Sequence, residues 1–380
     1  MNNFYCAAPW RGLHINPQGY VKTCCAGNPS MMGNLESESI ESVLQGPMMQ
    51  DIRDSIRQGK PHEFCRNCVT TESMGGDSER SWHNRTNPDF DATQAGLQYE
   101  YPVIMDVRWN TTCNLSCNYC DQLSSSKWAA IKKMPFVSEV RHYYNQVCDF
   151  VEKHNANIKE VALVGGEPLL LPENSRLLDV LPEDCRVVVI TNLTTRLDNN
   201  EIFQKLKKRK NVSWSLSFDN IDQRFEYVRH GGKWEILLTN LDQLQELLRN
   251  GHSGGIHAVY NLFNATRLCE FKQFADDRGI TIKWLSLQGP RALNIHMHGI
   301  EIATLAAAEI EKLYANFEVT ADERQVFDGA LEHYRSRTVD NPMMMQELRT
   351  FLKNLETRYH KDQQGKFAEL WPELDKVIWQ

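Results

Sequence analysis

From Tyr101 onward, short apolar runs alternate with longer stretches whose apolar positions recur every three or four residues, the pattern of strands followed by amphipathic helices. Strands are expected over 103–109, 160–164, 186–191, 212–218, 255–262 and 280–287. A helix is expected over 138–154, with Val140, Tyr144, Val147 and Val151 on one face. The clearest helix spans 234–249, where Trp234, Leu237, Leu238, Leu241, Leu244 and Leu248 fall at helical spacing. Six such β/α units predict an α/β fold, an incomplete (β/α)6 barrel around a parallel sheet, with ligands at the C-terminal ends of the strands. Beyond about Gly299 the pattern is nearly all helical, with amphipathic stretches over 302–317 and 343–360 and Trp371 and Trp379 near the terminus. This C-terminal extension is expected to pack against the barrel and narrow access to its mouth.

The first hundred residues read differently. Residues 13–22 alternate on either side of Pro17-Gln18-Gly19, a β-hairpin signal. Residues 31–59 look helical, interrupted at Gly46-Pro47, and lead to Cys65-Arg66-Asn67-Cys68. Residues 70–100 are polar, with Gly75-Gly76-Asp77 and Asn87-Pro88-Asp89, and read as a linker or a loop-rich crossing. The expected division is a small N-terminal α+β domain over 1–72, a linker over 73–100, the partial barrel over 101–298 and the helical extension over 299–380.

Composition is that of an ordinary globular chain, 41% hydrophobic and 24% charged. A net charge of −7 gives no footprint for nucleic acid, which would want a basic stripe. The run Lys205-Leu206-Lys207-Lys208-Arg209-Lys210 reads as the solvated C-terminal end of a helix. The N-terminus has no leader-like order and no run approaches a bilayer span, so a cytoplasmic protein with no membrane partner is expected.

Eleven cysteines change the picture, because in a chain read as unexported they point to metal or redox ligands. Cys148, Cys185 and Cys269 are scattered and read as buried small hydrophobes. The other eight cluster. Cys113, Cys117 and Cys120 lie within eight residues directly after the first strand, too few thiols to hold every iron of a four-iron cluster, so that one iron is left for an outside ligand. Cys6, Cys24, Cys65 and Cys68 form a second set, with Cys25 an alternate to Cys24. The hairpin brings Cys6 and Cys24 together. Spacing alone does not separate iron from zinc at this second set. His14, His62, His257, His296 and His298 have no ligand-like company and read as satisfied or exposed histidines.

The C-x3-C-x2-C loop with Tyr119 before its last cysteine resembles the signature of the radical S-adenosylmethionine enzymes. That resemblance implies a [4Fe–4S] cluster on Cys113, Cys117 and Cys120, whose free iron holds S-adenosylmethionine, and reductive cleavage to a 5′-deoxyadenosyl radical. The pattern Cys6, Gly19-x4-Cys24, Cys65-x2-Cys68 resembles the SPASM/twitch auxiliary-cluster domain, here placed before the barrel, and implies one auxiliary [4Fe–4S] cluster.

Gly165-Gly166-Glu167 resembles the family's GGE motif, in which two glycines admit the methionine moiety and a carboxylate adds a charge-assisted bond. Thr191, Asn192, Ser217 and Asp219 stand at strand ends that hold the ribose and carboxylate of S-adenosylmethionine in such enzymes. Asp219 reads equally as a turn or N-cap residue. Arg229 reads as a partner of the cosubstrate carboxylate or as a surface ion pair. Asn261 and Gln288 would face the same mouth. The implied activity is hydrogen-atom abstraction from a peptide or protein, with a flavodoxin- or ferredoxin-type electron donor as partner. The alternatives are dehydrogenation of a small molecule and, in a different class, a non-catalytic zinc-stabilised binding protein.

Overall fold

The computed structural model describes residues 4–27, 33–73, 77–92, 94–96, 101–135, 143–287 and 289–380. Eight strands, β1 (Gly12–Ile15), β2 (Val21–Lys22), β3 (Ile104–Val107), β4 (Glu160–Leu163), β5 (Arg186–Thr191), β6 (Val212–Leu216), β7 (Ser253–Tyr260) and β8 (Ile282–Ser286), form a mostly parallel sheet in the order β2-β1-β3-β4-β5-β6-β7-β8. The last six follow one another in chain order, as expected of successive β/α units. The helix Trp234–Arg249 matches its predicted bounds, and Leu237, Asn240, Leu241, Leu244 and Leu247 are its buried positions. Of the helix expected over 138–154 the structure describes Tyr143–His154, and the beginning of that stretch lies outside the described residues.

The chain separates into two compact units. The first holds residues 1–112, 136–190 and 197–213. Here β1 and β2 pair antiparallel, Ile15 opposite Val21, around a turn where Gly19 takes φ +79°, a left-handed conformation that favours glycine. The hairpin does not stand apart: β1 pairs in parallel with β3, Leu13 opposite Met105, so the N-terminal segment adds two strands to the sheet edge. β3 pairs with β4 and β4 with β5 in the same register step, with Met105, Val161 and Val187 fully buried. The helical stretch predicted over 31–59 appears as Ile40–Gln45 and Pro47–Arg57, broken at Gly46-Pro47 as expected. The polar stretch read as a linker contains a helix, Glu79–Thr86, started by the Ser78 hydroxyl, which accepts from the Ser81 N–H.

The second unit holds residues 113–135, 191–196 and 214–380. β7 and β8 pair in parallel, Ala258 opposite Trp284. The C-terminal extension is helical over Ile300–Asn316, Ala321–Arg335 and Pro342–Asn354, followed by a π-helical turn over Leu355–Tyr359. Its aromatic core is organised around Trp371, fully buried, whose Nε1 donates to the Phe263 carbonyl at 2.9 Å. Trp379, by contrast, is half exposed.

Candidate functional site

In the first unit, Cys6, Cys24, Cys65 and Cys68 line one cavity together with Phe4, Phe64, Arg80 and His83. Local structure explains how four distant positions meet. Cys6 precedes the turn of helix Ala8–Arg11, Cys24 follows β2, Cys65 ends a 3-10 turn and Cys68 sits in the helix Arg66–Ser73. Asn67 ties the last two to the hairpin by donating to the Ala26 carbonyl at 2.8 Å. Cys6 packs among Ala8, Trp10, Ile52, Ile56 and Phe64. Burial pushes the Cys65 thiol up to about 11, with Cys68 beside it adding to the effect, and pushes Cys6, Cys24 and Cys68 up as well. Such thiols stay protonated at neutral pH until a metal displaces the protons. Cys25 is exposed and does not line the cavity.

The polar stretch between the domains contributes here in a way the sequence did not signal. Arg80 Nη1 donates to the Tyr5 carbonyl at 2.7 Å and Asn84 Nδ2 to the same carbonyl at 3.0 Å, while the Ala7 N–H donates to Asn84 Oδ1 at 3.0 Å. Both backbone neighbours of Cys6 are thus held by the helix Glu79–Thr86. His83, 3% exposed and lowered to about 4 by burial, completes the wall.

Also in the first unit, β4 ends in Gly165-Gly166-Glu167. Gly165 has φ +128°, and a Cβ on Gly166 would stand 2.2 Å from the Thr112 carbonyl oxygen, so the second glycine is required by the close passage of residues 111–112. The Glu167 N–H donates to that Thr112 carbonyl at 2.8 Å, and its carboxylate accepts from the Leu169 N–H at 3.2 Å, capping the turn Pro168–Leu170.

In the second unit the three-cysteine loop is pinned along its length. The Cys113 N–H donates to Ser126 Oγ at 3.0 Å, Ser125 Oγ to the Leu115 carbonyl at 2.6 Å, and Trp128 Nε1 to the Cys117 carbonyl at 2.8 Å. Two of its sulfurs receive side-chain donors: Asn192 Nδ2 lies 3.9 Å from Cys113 Sγ and Arg229 Nη1 3.9 Å from Cys117 Sγ. Asn192 is held in turn by Asn114 and Thr194. Burial raises the Cys117 thiol and brings Cys120 to about 12.

The structure gives Asp219 partners that neither expectation named. Its fully buried carboxylate accepts from the Tyr119 hydroxyl, from Arg229 Nε at 3.1 Å and from the Val259 N–H at 2.6 Å. Arg229 is buried and lies over the Tyr119 ring at 5.4 Å, so the surface-pair alternative fails. Burial would lower its pKa, but Asp219, Tyr119 and Cys117 hold it firmly protonated. The ends of β5 and β6 meet where expected, the Ser217 N–H donating to the Thr191 carbonyl at 2.8 Å. Asn261 is fully buried, with Oδ1 accepting from the Phe263 N–H and Nδ2 donating to the Val259 carbonyl, so its amide shapes the turn after β7. Gln288 lies outside the described residues.

A cavity of about 680 Å³ opens beside this loop, lined by Asn118, Tyr119, Cys120 and Trp128 and, from the C-terminal extension, by Phe351, Asn354, Leu355 and Tyr359. Asn118 is 2% exposed; its Nδ2 donates to the Tyr227 carbonyl while its Oδ1 has no partner among the described residues. Asn220, equally buried, has neither amide atom paired among them. Neither residue stood out in the sequence, because nothing local marks an asparagine as unpaired. Of the histidines read as satisfied, His14 pairs with Asp106 at 3.1 Å and His62 with Asp51 at 3.2 Å. Among the described residues no three His, Cys, Asp or Glu side chains are drawn together as a single-ion site, and no helix is long and apolar enough to cross a membrane.

Comparison with known proteins bears on both sites. The model of the Radical SAM superfamily matches residues 107–268, and that of the iron–sulfur cluster-binding SPASM domain matches residues 6–69. The 7-carboxy-7-deazaguanine synthase of Clostridium acetobutylicum is 35% identical over 89 residues, 23% of this chain and 36% of its own length. The chain therefore spans about a third of that curated relative. Among solved structures, native anSMEcpe with bound AdoMet is 15% identical with a TM-score of 0.41, over 56% of this chain and 59% of its own. Streptococcus suis SuiB bound to S-adenosylmethionine is 13% identical with a TM-score of 0.42, over 68% and 62%. The chain thus carries a radical SAM domain and an iron–sulfur cluster-binding SPASM domain, whose cofactors are [4Fe–4S] clusters and S-adenosylmethionine.

Proposed function

We propose that this chain is a radical enzyme that reductively cleaves S-adenosylmethionine and abstracts a hydrogen atom from a peptide or protein substrate. The observation that carries the reading is the pinned loop with three cysteines and no fourth, bordering an open cavity within a radical SAM domain. Cys113, Cys117 and Cys120 would hold the reducing cluster; Cys6, Cys24, Cys65 and Cys68 would hold the auxiliary one. When bound, the first cluster supplies the electron that splits the sulfonium to a 5′-deoxyadenosyl radical, the chemistry belonging to the cofactor.

The chain's own residues bind and orient. By the resemblance, the backbone of the Gly165-Gly166-Glu167 turn would meet the methionine moiety, and Thr191, Asn192 and Ser217, at the ends of their strands, would be the residues to take the ribose and carboxylate. Arg229 and Asp219 hold Tyr119 of the loop in place. The cavity walled by Trp128, Phe351, Leu355 and Tyr359 would take the substrate and exclude water, with Asn118 Oδ1 free to accept an amide N–H. The functional division we infer is an auxiliary domain over 1–72, a crossing over 73–100, an incomplete barrel over 101–298 and a helical extension over 299–380, served by a flavodoxin- or ferredoxin-type donor. A second reading is dehydrogenation of a small molecule in the same cavity; the curated relative matched over 89 residues is a synthase of a small molecule.

The test is iron and sulfide content with an absorption spectrum on anaerobically reconstituted protein, beside a Cys113→Ala/Cys117→Ala/Cys120→Ala variant. About eight irons in the wild type and about four in the variant are expected, with 5′-deoxyadenosine formed under dithionite by the wild type alone. Colourless, zinc-loaded protein would overturn the radical reading.

A further inference from the structure

The hydrogen bonds around Ser116 join three distant stretches of the second unit. Ser116 stands between Cys113 and Cys117. Its N–H donates to the His230 carbonyl at 2.9 Å, and the Asn118 N–H donates to the Val228 carbonyl at 2.8 Å. Its Oγ lies 3.0 Å from Nδ1 of His230 and 3.2 Å from Nε2 of His360. The far nitrogen of His230, Nε2, lies 3.0 and 3.1 Å from the two carboxylate oxygens of Asp362.

Counting donors orders these contacts. A carboxylate only accepts, so His230 Nε2 carries a proton and donates to Asp362. In the neutral imidazole Nδ1 is then an acceptor, which takes the Ser116 hydroxyl proton; Ser116 Oγ is left to accept from His360 Nε2–H. Every proton has a place in this arrangement. The two imidazole rings stack with centroids 3.8 Å apart at 12°. The fully buried His360 also packs on Trp128 at 5.1 Å, the indole that holds the Cys117 carbonyl. Burial keeps His360 neutral.

We propose that Asp362, His230, Ser116 and His360 form a positioning chain by which the C-terminal extension holds the cysteine loop in its ligand-ready conformation. The inference rests on the reading that Cys113, Cys117 and Cys120 bind a cluster. Residues 269–380 lie outside both family matches, so His360 and Asp362 come from a part of the chain that neither matched domain includes. Groups that orient metal ligands govern how tightly the metal is kept, and losing one typically costs roughly 10- to 100-fold in metal affinity or activity.

The experiment uses the full reconstituted chain and follows iron release to a ferrous chelator, with electron paramagnetic resonance spectra of the reduced protein before and after S-adenosylmethionine. Ser116→Ala and His360→Phe are expected to release the loop's iron roughly 10-fold faster or more and to alter the cosubstrate-induced change in the spectrum. Asp362→Leu should act in the same direction, while Asp362→Asn, which keeps an acceptor oxygen, should stay near wild type. Wild-type release rates and spectra in Ser116→Ala and His360→Phe would overturn the proposal, as would Asp362→Asn behaving like Asp362→Leu. If His360→Phe does not fold, Ser116→Ala, which removes one oxygen, decides. A wild type with no Cys113-dependent signal that responds to S-adenosylmethionine would overturn the cluster reading itself, and the proposal with it.

Discussion

The two cysteine sites differ in what surrounds their sulfurs. The N-terminal four line a cavity walled by Phe4, Ala8, Pro9 and Phe64, and Cys6 is part of an apolar cluster. The three on the loop after β3 receive an amide from Asn192 and a guanidinium from Arg229, and their loop borders a large cavity. Four thiols around one cavity suit a cluster with every iron ligated. Three thiols beside open space suit one with a position to fill, the distinction that separates structural from catalytic metal sites.

The largest effect that would test the contrast is at the N-terminal site. Cys24→Ser should remove the auxiliary iron and abolish product while leaving 5′-deoxyadenosine formation in place; Cys25→Ser should change neither. If Cys25→Ser costs iron and Cys24→Ser does not, the cavity has been assigned the wrong neighbour. At the loop site, Arg229→Leu strands the buried Asp219 carboxylate, and removing one partner of a buried ion pair costs about 3–5 kcal/mol. Urea melts of the metal-free chain would read that loss, and a cost below about 1 kcal/mol, the level of an exposed pair, would place the pair at the surface.

Gly166→Ala should cost about 1–3 kcal/mol through overpacking against the Thr112 carbonyl, and should weaken S-adenosylmethionine binding measured by equilibrium dialysis. Unchanged binding would separate the glycine turn from the cosubstrate.

The smallest effect concerns His298, 1% exposed, its pKa lowered to about 4 by burial and to a lesser degree by Arg337. Its folded pKa lies below the unfolded value near 6.5. Between these values the unfolded chain binds the extra proton, so stability rises with pH across the window and is lost as pH falls below about 6.5. Lowering the pH from 7.5 to 5.5 should cost about 1 kcal/mol through this group. His298→Gln should flatten that part of the melting profile, and an unchanged slope would show that other groups carry it.

Much of this was open to reading in the chain itself. The strand bounds over 186–191 and the helix over 234–249 follow from periodicity, because a half-buried strand and an amphipathic helix write their burial into spacing. The spacing of Cys113, Cys117 and Cys120 put three thiols on one short loop, and Cys6, Cys24, Cys65 and Cys68, grouped by their pattern in the sequence, line one cavity. The polar stretch over 73–100 read as a linker or a loop-rich crossing, and its hold on the neighbours of Cys6 was not legible: Arg80 and Asn84 look like ordinary surface residues until Tyr5 and Ala7 are seen beside them.

What the sequence alone determined is therefore local: the periodic elements, the two thiol sets and the glycine turn after β4. What the tertiary structure decided is which distant groups satisfy one another: β1 joining β3 in parallel, Asp219 accepting from Tyr119 and Arg229, and Ser116 bonded to imidazoles 114 and 244 residues away. The reason is physical. Hydrophobic spacing records which face of an element is buried, but a hydrogen bond between remote side chains leaves no period in the chain and exists only once packing has brought donor and acceptor within reach.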